Sequence, residues 1–299
     1  MKKIITHLNP DLDAIASCWL IKRFLPGWAG AEIAFVEAKN TSQALDIEGE
    51  ILYVDVGGGP LDHHRQNDPS TCAAKKCWDF ITIKRQGEPL DLIGDGAITQ
   101  LVEVIRQIDN AQDLNWSEKS EARDCFYLHQ ILGGLKGLGE KDQPVVEFGF
   151  RALEAIWLSL KSIWRAKEEL VSKAVFFSTP WGQAVCCETA NEQFLWEAEK
   201  QNYVLAVKKT PQDGSVRMAA RPDSKVDLAP VLTLIKKADP DSDWYLHPSH
   251  KLLLNHTSLN PAFRPTRLSL EEIIAIIRNQ PLAEKEVQFN GDDSSQGSG

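Results

Sequence analysis

Long apolar runs are missing from this sequence. No uninterrupted stretch approaches the roughly 18 residues that a membrane-spanning helix needs, and MKKIITHLNPD reaches Asp11 before a signal-peptide core could form. The expectation is a cytoplasmic protein with no membrane partner. Also missing is any cysteine spacing that would build a disulfide framework or a zinc site. The six cysteines (Cys18, Cys72, Cys77, Cys125, Cys186 and Cys187) follow no such pattern, and the adjacent pair Cys186-Cys187 would make a strained bridge. They read as reduced, mostly packed thiols. Nor is there an excess of positive charge. Lys and Arg number 33 against 42 Asp and Glu, a net charge of -9; residues 1–150 carry 15 against 23, and residues 174–283 carry 12 against 12. This argues against a broad nucleic-acid footprint, which neutralises backbone phosphates with Lys and Arg. An acidic first half suits carboxylates gathered to hold cations.

What is present is enough apolar residue, 43% of 299, to build real cores and two domains. In the first half KKIITHL reads as a strand, Leu12 to Phe24 as a helix, AEIAFVEA (31–38) and ILYVDV (51–56) as strands, and 70–85, 92–113 and 118–132 as helices. Strands spaced by helices imply a parallel sheet whose ligands sit at the carboxyl ends of its strands, where His7 and Asp55 fall. From Pro144 to Ser172 a helical apolar period persists, longer than in a usual helix. Trp157 and Trp164, seven apart on one face, suit packing better than a platform for stacked bases. Beyond it, KAVFFS, GQAVCCET, YVLAVKKT, SVRMAARP and KLLLNHT read as strands, and NEQFLWEAEKQ, DLAPVLTLIKKA and SLEEIIAIIRN as helices. The expected fold class is therefore α/β: a mainly parallel sheet with helices on both faces (1–143), a connecting helix (144–172), and a smaller mixed α/β domain (173–283). A polar Gly/Ser tail (284–299) is expected to be disordered. The long apolar helices suit a core or a homodimer interface equally well.

Two segments carry the chemistry. In HLNPDLDAIAS (7–17), Asn9 can cap the helix and Pro10 suits its first turn, which brings His7, Asp11 and Asp13 around one helix N-terminus. Mixed imidazole and carboxylate donors suit Mn, Fe, Co or Zn better than the oxygen cage of calcium. The alternative makes the two Asp ordinary first-turn carboxylates facing the helix dipole, at about 0.3–1 kcal/mol each. In ILYVDVGGGPLDHHRQ a strand-end Asp55 precedes three glycines, where only backbone can approach closely, and then Asp62, His63 and His64. This points to metal or phosphate chemistry; a solvated turn is the alternative for the two histidines alone.

HxNPDxDA, a strand-end Asp and then Asp-His-His resemble the motif series of the DHH phosphoesterase superfamily. The superfamily includes single-strand exonucleases, phosphodiesterases of oligonucleotides and cyclic dinucleotides, and manganese-dependent pyrophosphatases. The VDVGGG-to-DHH spacing and IDNAQ (108–112) are most similar to the melanocyte-proliferating-gene exonuclease branch, whereas the opening motif keeps the general superfamily form. The resemblance implies two divalent ions, Mn first, with Mg, Co or Zn as alternatives. One ion would be held by His7, Asp11 and Asp55, the other by Asp13, Asp55, His63 and Asp109, with Asp55 bridging. Asp62 would orient His63, and His64 would face the substrate phosphate. Locally, Asp109 also reads as a helix C-terminal Asp capped by Asn110.

In the superfamily a C-terminal domain supplies substrate contacts, often through a Gly-rich histidine motif that is not clear here. ILGGLKGLG (131–139) more simply ends a helix. His247, His250, His256, Arg264 and Arg267 are the candidates for substrate binding; alternatively the arginines are surface charges and the histidines satisfy turns. Arg217 and Arg221 line a cleft or sit on a solvated edge strand. The expected activity is two-metal hydrolysis of phosphodiester bonds in short single-stranded RNA or DNA, by an exonuclease or oligonucleotide-degrading enzyme. The alternatives are a phosphatase for a nucleotide-like small molecule (a nucleotide bisphosphate, a cyclic dinucleotide or pyrophosphate) and a non-hydrolytic nucleotide-binding regulatory module. A zinc-stabilised structural protein is disfavoured by the many Asp.

Overall fold

The computed structural model describes residues 1–38, 50–65, 68–85, 92–116, 121–255 and 262–280. The chain divides into two compact units, Met1–Trp164 and Arg165–Gly299.

In the first unit the elements are β1 (Lys3–His7), α1 (Leu12–Phe24), β2 (Glu32–Val36), β3 (Ile51–Tyr53), α2 (Ala73–Lys84), α3 (Leu92–Asp109), α4 (Glu121–Asp124) and α5 (Leu128–Gly137). Helix α6 (Asp142–Ser172) begins in this unit and ends in the next. Strand β1 lies between β2 and β3 and is parallel to both, with Ile4 opposite Ile33 and Leu52. The expected parallel arrangement is thus present, and His7 closes the central strand. Helix α1 is buried along almost its whole length, from Leu12 to Phe24, because α2, α3, α5 and α6 contribute Trp78, Ile98, Leu132 and Trp157 to the same core. Gly149 lets α6 approach α1 closely: a Cβ there would stand 2.6 Å from the Ile15 side chain. Trp157 is buried edge-on against Trp19 and Phe24, and Trp164 packs on Gly96 and donates to Gln100 at 2.9 Å. Both serve packing.

The helix expected over 118–132 is interrupted. Tyr127 adopts an extended backbone, packs edge-on against Trp116 with centroids 5.6 Å apart, and separates α4 from α5. Helix α5 then runs on through Gly133-Gly134, and 131–139 ends it, with Leu138 at the C-cap and Gly139 at φ +84°.

The second unit holds β4 (Val175–Thr179), β5 (Gly182–Glu188), α7 (Gln193–Lys200), β6 (Leu205–Lys209), β7 (Val216–Ala220), α8 (Ala229–Ala238), β8 (Trp244–Leu246), β9 (Leu252–Asn255) and α9 (Leu270–Arg278). Its six-stranded sheet runs β4-β5-β6-β7-β9-β8; only β5 and β6 pair in parallel. Strand alternation splits its apolar residues between two faces. Ala184, Cys186, Leu205 and Val207 pack with α8 and α9, and Val185, Cys187 and Ala206 with Phe194 of α7 and Leu170. The six cysteines are free, and all but Cys125 are buried. Strand β7 is interior, so the edge-strand reading of Arg217 is corrected: the long-range pairing of β7 with β9 covers its outer side. Among the described residues no helix is long and apolar enough to cross a membrane.

Candidate metal centre

The β1–α1 turn delivers the first three side chains. Asp11, not Asn9, is the N-cap of α1, and its Oδ1 accepts the Ala14 amide at 3.0 Å. Asn9 instead takes a left-handed conformation, φ +53°, with its amide donating to Asp142 at 3.2 Å and its carbonyl accepting from Lys136 at 2.9 Å. That turn delays the helix by two residues relative to the sequence expectation. Asp13 lies in the first turn of α1 and is buried; its two oxygens accept the Ala73 and Ala74 amides at 2.7 and 2.8 Å. It therefore caps α2, a contact across 60 residues that local spacing cannot reveal.

The loop after β3 delivers the second set. Asp55 has φ +54°, a conformation that Asp tolerates better than most residues, at a cost of about 1 kcal/mol. Its amide donates to the Leu61 carbonyl at 3.0 Å, closing the loop on itself. Gly58 has φ +67°, and a Cβ on it would come within 2.4 Å of the Arg65 guanidinium. Asp62 Oδ2 accepts the Gly58 amide at 2.6 Å, and its Oδ1 takes both the His64 amide (3.0 Å) and His64 Nδ1 (2.7 Å). Asp62 thus holds His64. The expectation that it orients His63 is corrected: the bonds of Asp62 go to His64, whose ring lies 4.7 Å from that of His63, and His63 is the more enclosed of the two, 15% exposed against 60% for His64.

Asp109 is the last residue of α3. Asn110 caps that helix by donating to the Arg106 carbonyl at 2.9 Å and ties it to Thr71 at 3.0 Å. The local reading of the pair as a capped helix end therefore holds, and the same Asp109 oxygen that takes Asn110 Nδ2 at 3.4 Å stands 3.5 Å from His63.

Six predicted residues converge. His63 Nε2 stands 3.6 Å from Asp13, 3.5 Å from Asp55 and 3.5 Å from Asp109; His7 Nε2 stands 3.4 Å from Asp55. Donor atoms of His7, Asp11 and Asp55 lie within 4.8 Å of one another, as do those of Asp13, His63 and Asp109, and those of Asp55, His63 and His64. These separations are long for N–H···O bonds, at ~2.7–3.2 Å. They match donors sharing one cation, where bonds of about 2.0–2.2 Å set neighbours about 3.0–3.5 Å apart. Asp55 Oδ1 is buried and, in the cluster, has no hydrogen-bond partner. The donor set fits divalent cations.

Electrostatics point the same way. Burial, then the Asp55 and Asp109 charges, push Asp13 well above the usual carboxylate range; burial likewise raises Asp55, with His7 opposing. Asp109 is raised to about 6 by burial, offset by His63 and reinforced by Asp11 and Asp55. The neighbouring Asp55 carboxylate, 3.4 Å away, lifts His7 to about 9, against the opposing effect of its burial. Burial favours a neutral Asp62, but the His64 and Gly58 amides and the His64 ring outweigh it and keep the carboxyl low. Crowded acids held toward neutrality ask for positive charge.

Two cavities flank the cluster. One, about 450 Å³, is lined by His7, Asp55, Gly58, Asp62, His64 and Arg65. The other, about 310 Å³, is reached past Asp11, Asp13 and Asp109 and includes Lys136. Arg65 and Lys136 were not anticipated. Arg65 directly follows the two histidines, and Lys136 shares a helix face with His129, Leu132 and Gly133, a spacing visible in the sequence.

The substrate candidates of the second unit have local partners. His247 Nδ1 pairs with Ser249 Oγ at 2.8 Å and His250 Nδ1 with Asp227 at 3.0 Å. Arg264 is exposed and donates to Asp243 at 3.3 Å, while the Arg267 amide donates to Asp239 at 2.9 Å. Arg217 bonds Glu192, and Arg221 bonds Asp223 and Asn202. His256 lies outside the described residues.

No protein-family model and no curated protein matches the chain. Among solved structures it is similar to an uncharacterized protein from Helicobacter pylori, at 12% identity and a TM-score of 0.27, over 94% of this chain and 100% of that one. It is similar to the DHH domain of a member of the s1p family of ribosomal proteins, at 11% identity and a TM-score of 0.30, over 92% and 85%. It is also similar to RecJ in complex with Mg2+ from Thermus thermophilus, at 11% identity and a TM-score of 0.31, over 94% of this chain and 50% of RecJ.

Proposed function

We propose that this chain is a metal-dependent phosphoesterase of the DHH type that hydrolyses phosphodiester bonds in short single-stranded nucleic acid. The observation that carries the reading is the buried Asp55 Oδ1, without a hydrogen-bond partner among the described residues and 3.5 Å from both His63 Nε2 and His64 Nδ1 at the centre of a cluster of four acids. His7, Asp11 and Asp55 would hold one divalent ion and Asp13, Asp55, His63 and Asp109 another; the mixed nitrogen and oxygen donors suit Mn, Fe, Co or Zn, and the resemblance to the DHH superfamily puts manganese first. Bound there, such ions supply Lewis acidity and bring the pKa of water toward neutrality.

The remaining steps belong to the chain's own groups. His64, held by Asp62 and exposed toward the 450 Å³ cavity, is set to hydrogen-bond a phosphoryl oxygen. Arg65, in the same cavity, offers a guanidinium fork suited to a phosphate. An acidic first half with two basic groups at its cavities suits a short substrate end more than a long strand.

The test uses the protein loaded with manganese and four substrates: a labelled five-nucleotide strand, a dinucleotide, a 3′,5′-bisphosphate and pyrophosphate. Stepwise shortening of the strand from one end is expected. Turnover of the bisphosphate or pyrophosphate alone would make it a small-molecule phosphatase, and nucleotide binding without any hydrolysis would make it a regulatory module.

A further inference from the structure

One wall of the second cavity is not made of acids. Leu12, Ile105, Ile108 and Leu132 line it, from α1, α3 and α5, and Gly133 and Lys136 complete the α5 side. On α5, Leu132, Gly133 and Lys136 recur at the three- and four-residue spacing that puts them on one face. Gly133 has no side chain to fill the space, and a Cβ built on it meets nothing within 4 Å among the described residues. The Lys136 ammonium spends one donor on the Asn9 carbonyl and lies in the field of Asp11. Two of its three donors remain. The space combines an aliphatic wall, a cation and a carboxylate cluster. Its volume of about 310 Å³ lies at the small end of ligand pockets.

That combination suits an organic group with a flat apolar face, joined to a phosphate. A bare phosphate would leave the aliphatic wall wet, and a sugar phosphate would set hydroxyls against it. A lipid chain needs a longer channel. We infer that the cavity between α3 and α5 receives the nucleoside of the substrate, while Lys136 takes an oxygen of the adjoining phosphate. The inference rests on the phosphoesterase reading and adds to it a selectivity for one sugar–base unit beside the scissile ester.

Gly133 and Gly134 make a matched pair for the test. Both are in α5, both accept a Cβ without contact within 4 Å, and Gly133 alone lines the cavity. Replacing either Gly by Leu favours the helix by under about 1 kcal/mol, so both variants fold. The full chain with manganese is titrated calorimetrically with the AMP analogue in which a methylene replaces the ester oxygen, and with methylphosphonate, which lacks the nucleoside. Gly133→Leu is expected to weaken the nucleoside ligand about tenfold or more and methylphosphonate by less than about twofold, while Gly134→Leu changes neither. Lys136→Gln is expected to weaken both ligands. Equal affinity of Gly133→Leu and Gly134→Leu for the nucleoside ligand, or equal affinity of the unaltered protein for the two ligands, overturns the inference.

Manganese uptake and strand hydrolysis, measured on the same samples, separate this from the broader reading. Uptake and hydrolysis with a neutral Gly133→Leu would refute the nucleoside cavity alone. Nucleoside preference lost in Gly133→Leu, without uptake or hydrolysis, would uphold the cavity and refute the phosphoesterase.

Discussion

The two units use the same side chains to opposite ends. In the second, His250 meets Asp227 at 3.0 Å, His247 meets Ser249 at 2.8 Å, and Arg221 meets Asp223 at 2.6 and 2.9 Å: each charge is closed by a neighbour at hydrogen-bond distance. In the first, His63 stands 3.5–3.6 Å from three carboxylates at once, and Asp55 keeps a buried oxygen with no donor among the described residues. Closed pairs stabilise a fold modestly, since exposed pairs contribute about 0–1 kcal/mol. An open cluster of buried acids is costly unless something positive completes it. Counting His, Asp and Arg does not separate the two cases; the spacing between donors does.

The largest break in this contrast comes from Asp55→Asn. It removes the proposed shared ligand, so phosphodiester cleavage is expected to fall by about 10³-fold or more, several kcal/mol of transition-state stabilisation. Thermal melting sharpens the point. Manganese is expected to raise the variant's melting temperature less than the parent's, where saturation to a hundred times Kd contributes about 2.7 kcal/mol. Unchanged turnover would remove Asp55 from the centre. Next in size is Asp62→Asn, which frees His64 while leaving the acid cluster intact. Turnover is expected to drop about 10–100-fold with little change in manganese stoichiometry; rates are read by single-turnover cleavage. Smallest is Arg264→Ala in the second unit. Its pairing with Asp243 is exposed, so stability is expected to shift by no more than about 1 kcal/mol in a denaturant melt. A tenfold rise in KM from that variant would give the second unit a part in substrate recognition and dissolve the contrast.

Much of the first unit was legible because its signals are local. Alternation in KKIITHL and ILYVDV gives strands, and ligands gather where parallel strands end, so His7 and Asp55 were found from position and residue type. What stayed hidden depended on partners distant in sequence. Asn9 offers a good cap, but the Asp142 and Lys136 contacts turn it left-handed and hand the cap to Asp11. The Asp62 carboxylate selects His64 in a loop that Asp55 closes on Leu61 and the Gly58 amide ties to Asp62, which no spacing rule encodes. Strand β7 reads equally well as an edge or an interior strand until β9, over thirty residues later, pairs with it. The α5 face bearing Gly133 and Lys136 was visible as a helical period, but what it faces was not.

Asp13 has one more consequence. Its two oxygens grip the leading amides of α2 while the same carboxylate sits 3.6 Å from His63. Charge arriving at the cluster must redistribute along that carboxylate into the Ala73 and Ala74 protons. Those two hydrogens form a built-in gauge, readable one nucleus at a time, of whether the nearby carboxylates have been given a counterion.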